Sequence, residues 1–193
     1  MRSAEFDRQH VLQQAMALFS TKGYAKTTMQ ELVTATGLHP GSLYAAFGNK
    51  RGLLTAVVDH YIDNKRQKRQ ECLAAADALE GIAAYLNQVL SDTLSGACLL
   101  VRTLMELAEQ DPALQAQIQG NYQEVAADLR ACLGRAQQQG LLAADADLAQ
   151  LTTWLAVTLQ GLINVGQCNR RQAELQAVIA LQIQALRQGV GAP

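Results

Sequence analysis

The stretch GYAKTTMQELVTATGLHPGSLYAAFGNKRGLL, Gly23 to Leu54, decides the reading of this chain. Thr27 stands where a hydroxyl can cap a short helix with Met29, Leu32 and Val33 on its apolar side, and Gly37 can end it in the left-handed conformation. Pro40 has no N–H to lose at a first helical position, so another short helix begins there and carries Leu43, Tyr44 and Phe47. Two short helices joined by a glycine-containing turn form the helix-turn-helix pattern.

Upstream, Val11, Leu12, Ala15, Leu18 and Phe19 recur at helical spacing and predict a first helix from Ala4 to Lys22, stopped by Gly23. Downstream, Asn49 caps a long fourth helix with Leu53, Leu54, Val57, Val58, Tyr61 and Ile62 on one stripe, after which Asn64 to Glu71 is wholly polar. Beyond Leu73 the chain is rich in Ala, Leu and Gln and divides into five further helices, near 78–93, 96–109, 112–139, 147–167 and 171–188. The tail from Gly189 to Pro193 is expected to fray. The fold class is therefore all-α with about nine helices: a three-helix helix-turn-helix domain over 1–48, a connecting helix over 49–72, and a larger helical domain over 73–193.

Charge separates these parts. Residues 1–70 hold ten Lys and Arg against five acids, and residues 71–193 hold six against twelve, so a net charge of −1 conceals a basic N-terminal part suited to a polyanion. Four of those ten cations, Lys65, Arg66, Lys68 and Arg69, form one run that reads as a solvated face complementing a helix C-terminus. An enzyme is disfavoured. His10, His39 and His60 all lie in the N-terminal third, and there is neither a glycine-rich phosphate loop nor a metal-ligand spacing, so no cofactor is implied. Cys72, Cys98, Cys132 and Cys168 are far apart, which suits a reducing cytoplasm, and no apolar run is long and uninterrupted enough for a membrane span.

The Gly23–Leu54 stretch resembles the N-terminal signature of the TetR family of regulators: Gly-Tyr after the first helix, Thr at the second, the Gly-Leu turn, Leu-Tyr-x-x-Phe, and the Lys that opens helix four. That resemblance implies a homodimer reading a palindromic operator. The family's major-groove positions match His39, Pro40, Gly41, Ser42 and Tyr44, of which His39, Ser42 and Tyr44 have hydrogen-bonding side chains. Thr27 and Thr28 could hold one phosphate. Lys50, with Arg51 beside it in a first helical turn that disfavours cations, could hold another or simply point into solvent. Leu38, Leu43 and Phe47 are expected in the core.

The second domain is read as taking a small apolar effector, with Cys98, Arg102, Tyr122 and Trp154 as candidate contacts. If Ser95 caps a helix, Cys98 falls in its first turn, where the dipole favours a thiolate; the segment Gly96–Leu114 also resembles part of a family subset that contains electrophile and oxidant sensors. Cys98 could equally be a small core hydrophobe, and Arg102 and Glu106 could pair with each other on the surface. The helix near 147–167 is apolar on two sides, with Leu148, Leu151, Leu155, Leu159 and Leu162 opposite Trp154, Val157, Gly161 and Val165. Its second side calls for a copy of itself together with the last helix, or for a central place in its own monomer. The function implied is a repressor released from its operator by a small molecule, or alternatively a thiol sensor acting through Cys98; an interaction protein with a disused helix-turn-helix is the remaining alternative.

Overall fold

The computed structural model describes residues 6–96, 98–107, 110–169 and 171–189, and among them there are nine helices and no strand. They are α1 (Arg8–Lys22), α2 (Met29–Thr36), α3 (Pro40–Phe47), α4 (Lys50–Leu73), α5 (Ala78–Ser95), α6 (Leu99–Leu107), α7 (Pro112–Gln138), α8 (Leu148–Asn169) and α9 (Gln172–Arg187). The all-α class and the helix count agree with the periodicities. Ala4 and the tail past Gly189 lie outside the described residues.

Most boundaries follow from caps. Asp7 accepts from the N–H groups of Gln9 and His10 at 3.0 and 3.1 Å, so α1 begins at Arg8, later than the apolar spacing alone suggests. Asp77, Asp111 and Asp147 cap α5, α7 and α8 in the same way. The cap of α2 is Thr28 rather than Thr27: Thr28 Oγ1 accepts from Glu31 N at 3.2 Å while Glu31 Oε2 accepts from Thr28 N at 3.0 Å, a reciprocal capping box. Ser95 caps nothing. It is the last residue of α5, its hydroxyl donates back to Ser91 O at 2.9 Å, and α6 starts only at Leu99.

The compact units do not follow chain order. One comprises the described residues of Met1–Lys65 and Ala97–Ile118, the other those of Arg66–Gly96 and Gln119–Pro193, and α4 and α7 each contribute to both.

In the first unit the core is Val11, Leu12, Ala15 and Phe19 of α1, Leu32 of α2, Leu43 of α3, Leu53, Leu54, Val57 and Val58 of α4, and Leu99 and Leu100 of α6. Three short helices cannot enclose everything apolar, and Leu38 and Phe47 remain half-buried against expectation. Phe47 packs instead by its ring, 6.4 Å from Phe6 and 5.6 Å from the Arg8 guanidinium. Gly52, in the first turn of α4, has no room for a Cβ because the Phe47 carbonyl closes on it.

In the second unit Leu79, Ile82, Leu86 and Leu90 of α5 meet Leu129 and Leu133 of α7, Leu151, Leu155, Leu159 and Leu162 of α8, and Ile179, Ile183 and Leu186 of α9. Each such side chain withdrawn from water contributes about 1.5–3 kcal/mol. Gly166 lets α8 approach α5, since a Cβ there would come within 3.0 Å of Thr93.

The basic run in α4 is solvated only in part: Lys68 is exposed and Lys65 and Arg66 are half-buried, but Arg69 is not at the surface. Arg69 is only 2% exposed and donates to Asp128 at 2.6 Å, Arg66 holds Glu124 through both carboxylate oxygens, and Lys68 lies 3.5 Å from Asp92. Evenly polar sequence concealed this. The carboxylates that bury Arg69 lie on α7, about sixty residues away, where no local pattern could pair them.

Candidate nucleic-acid interface

Helix α3 buries one residue, Leu43, and leaves the rest of its eight partly or fully open. His39, Gly41 and Tyr44 are exposed and Ser42 is half-buried. Tyr44 is 48% exposed, a large aromatic side chain held outward. His39 caps the helix: its Nδ1 accepts from Gly41 N at 3.3 Å. A neutral imidazole that accepts at Nδ1 carries its proton on Nε2, so the ring presents a donor on its other nitrogen.

Thr27 is 1% exposed and its hydroxyl donates to Gly23 O at 2.6 Å, so that side chain locks the turn between α1 and α2 and does not reach solvent. Thr28 is exposed at the head of α2, next to exposed Lys26, which sequence reasoning had not singled out. A basic residue two places before the hydroxyl that caps a helix was the available signal. The Lys22 ammonium and the Thr28 hydrogen bonds hold the Glu31 carboxyl at about 2, well below the usual carboxylate range.

Lys50 and Arg51 were expected to be in conflict with the helix dipole until an anion relieved them. Both have internal partners instead. Lys50 Nζ donates to Tyr24 O at 2.8 Å and Thr27 O at 2.9 Å and sits 4.2 Å above the Tyr24 ring. Arg51 pairs with Asp111 and donates to Thr55 Oγ1 at 2.6 Å, and this pairing lowers the pKa of Asp111. An ammonium has three hydrogens, so Lys50 keeps one beyond those two carbonyls.

The effector candidates fall in different places. Cys98 is half-buried immediately before α6, its Sγ 3.7 Å from Tyr61 Oη, in the first unit. Arg102 is in that unit too and does pair with Glu106, at 3.3 Å, but also donates to Ser20 O and Thr21 O at 2.9 and 3.0 Å. Tyr122 and Trp154 belong to the second unit, where Trp154 packs on the apolar core. An open groove in that unit is lined by Gln70, Leu73, Asp128, Cys132 and Arg135. Burial raises the Cys132 pKa, which disfavours its thiolate. Among the described residues no three His, Cys, Asp or Glu side chains converge as metal ligands.

On the outer side of the second unit Val157 and Leu181 are each 66% exposed, with Val165 at 46% and Val178 at 48%. By length and composition α8 is apolar enough to cross a membrane. Its leucine stripe, however, is packed into the core just described.

Residues 11–57 match the family model "Bacterial regulatory proteins, tetR family", and residues 75–181 match that of the tetracyclin repressor-like C-terminal domain. The chain is 30% identical over 167 residues to the HTH-type transcriptional repressor ComR of Escherichia coli, covering 83% of this chain and 80% of that one. It is 26% identical to the regulator YezE of Bacillus subtilis over 96% of this chain and 98% of that one. A solved structure of a cysteine-substituted form of the TetR family regulator CifR, complexed with 26-base-pair operator DNA, superposes with a TM-score of 0.83 at 31% identity, covering 95% of this chain and 99% of that one.

Proposed function

The chain belongs to the TetR family of bacterial regulatory proteins, which are DNA-binding transcriptional regulators and not enzymes, and from that premise we propose a cytoplasmic homodimeric repressor that a small apolar effector releases from a palindromic operator. The observation that carries the proposal is α3, an eight-residue helix that buries only Leu43 and leaves Gly41 and Tyr44 exposed, with His39 exposed at its cap. His39 through Nε2, Ser42 and Tyr44 supply the base-edge hydrogen bonds, and Gly41 lets the backbone approach the groove. Phosphates seat at the two neighbouring helix starts, on Thr28 with Lys26 at α2, and on the first N–H groups of α4 with the remaining Lys50 hydrogen. Thr27 serves by shaping the turn.

Two such heads must meet major-groove faces about 34–36 Å apart, which requires a partner subunit. The exposed stripe of Val157, Gly161 and Val165 on α8 and of Val178 and Leu181 on α9 supports a two-fold interface built from those helices. An effector that favours another spacing of the heads lowers operator affinity by shifting the population.

The test is a gel shift with the region upstream of the protein's own gene, alongside sedimentation of the free protein. Tyr44→Phe should weaken operator binding about tenfold, as for loss of one base contact worth roughly 1–3 kcal/mol. Leu181→Glu should give a monomer that no longer binds. Unchanged binding by Tyr44→Phe and by a His39→Ala variant would remove the recognition assignment, and a wild-type monomer at micromolar concentration would remove the dimer.

A second reading is favoured by the contact between Cys98 and Tyr61. The Tyr61 hydroxyl can donate to a Cys98 thiolate at the start of α6, and that thiolate would add to an electrophile. N-ethylmaleimide should then release wild type but not Cys98→Ser from DNA; equal release of both excludes it.

A further inference from the structure

We propose that the Arg102–Glu106 pair of α6 is a positioning element for operator binding: it sets the α1–α2 turn and, through that turn, the phosphate-facing start of α2. The proposal rests on the reading that the head of α2 meets a phosphate.

The turn from Gly23 to Thr28 is short, and beside its own hydrogen bonds, from Thr27 Oγ1 to Gly23 O and from Thr27 N to Tyr24 O, it is held by side chains from outside it. Arg102 Nη1 donates to Ser20 O and Thr21 O, in the last turn of α1, where a helix leaves its carbonyls without intrahelical partners and favours a cation. Glu106 Oε2 accepts from Ala25 N at 2.9 Å, and Arg102 Nε holds the other Glu106 oxygen at 3.3 Å. Lys50 in turn donates to Tyr24 O and Thr27 O. Gly23, at φ 83°, passes so close to the Glu106 carboxylate that it has no space for a Cβ. Ala25 lies between two of these grips, and the residues immediately after it are Lys26, Thr27 and Thr28. A side-chain pair some eighty residues away in sequence thus decides where that cation and that hydroxyl point.

A purely structural role for the pair predicts lower stability and a general loss of DNA affinity. Positioning predicts a selective loss. The two are separated by measuring affinity for the footprinted operator duplex and for a random duplex of equal length, with thermal midpoints, for Glu106→Ala, Glu106→Gln and Arg102→Lys. Glu106→Ala should bind operator about tenfold more weakly, as expected for one charge-assisted hydrogen bond, while affinity for the random duplex changes less than twofold. Glu106→Gln keeps an acceptor for Ala25 N and should recover most of the loss. Arg102→Lys cannot span two carbonyls and Glu106 and should fall between. Should Glu106→Ala fold poorly, the two conservative variants decide alone, and wild-type operator affinity in both overturns the proposal.

Equal losses on both duplexes that track the thermal midpoint also overturn it. Thr28→Val and Lys26→Ala separate the underlying reading. If these weaken operator binding and Glu106→Ala does not, only the positioning role fails; if they bind as wild type, the phosphate seat on α2 is wrong and the proposed route fails with it.

Discussion

The two ends of α4 carry similar cations and use them in opposite electrostatic settings. At its start, Lys50 and Arg51 sit against the positive end of the helix dipole and are stabilised by backbone carbonyls of the α1–α2 turn and by Asp111. Toward its end, Arg66 and Arg69 sit with the dipole and are held by Glu124 and Asp128 of α7. The start stays partly open, whereas Arg69 is among the most buried large side chains in the molecule. Similar cations on one helix can thus stay partly open at one end while at the other end one of them, Arg69, is buried against a carboxylate.

The sharpest way to break the contrast is Arg69→Ala. It removes a guanidinium that is 2% exposed and strands Asp128, so urea denaturation should show a loss of about 3 kcal/mol. Arg69→Met, which retains the stem, should cost clearly less. If Arg69→Ala unfolds at the wild-type midpoint, the buried seam contributes nothing.

Next in size, Gly23→Ala forces a Cβ onto a left-handed position and toward Glu106, at a cost of about 1–2 kcal/mol. In a Glu106→Ala background the steric part disappears and the backbone part remains. Lack of any such coupling in the double-mutant cycle would mean that Glu106 does not crowd the turn.

Lys50→Met leaves two carbonyls without their donor and should lower stability by about 1 kcal/mol. Because the same ammonium has a hydrogen to offer a phosphate, the salt dependence of operator binding should also become shallower, by about one unit of slope. A lowered stability with an unaltered slope would confine Lys50 to the turn.

The smallest effect concerns Glu31. Its folded pKa of about 2 is below the ordinary 4.5, so its contribution is complete above the ordinary value and is lost as pH falls toward 2. Glu31→Gln should lower stability slightly at neutral pH, where the carboxylate contribution is complete, and flatten the acid limb in that window, so that the two proteins converge near pH 2. An identical acid limb would show that the Lys22 and Thr28 contacts do not persist in solution.

Much of the fold could be read from particular residues. Gly37, Pro40, Asn49, Asp111 and Pro112 act within three or four residues of themselves, and their helix boundaries came out where local chemistry put them. Thr27 and Thr28 were harder to tell apart, since either hydroxyl could cap, and the choice turned on which could reach Gly23 O. Leu43 lies inside as its apolar character suggested, and Tyr44 lies outside as the family resemblance implied, whereas Phe47, expected inside by the same reasoning as Leu43, is only half-buried. Arg102 and Glu106 were visible as a pair but not as a grip on α1, and Arg69 was read as solvated, because their partners lie far along the chain.

The sequence by itself determined the helices, several of their caps, the helix-turn-helix and the family, because each depends on periodicity and on contacts a few residues long. Tertiary structure alone decided which charges are spent. Whether Lys50, Arg69 or Arg102 faces water, a carbonyl or a carboxylate depends on which distant helix is packed beside it, and Coulomb energies and desolvation costs are set by that neighbour rather than by the residue.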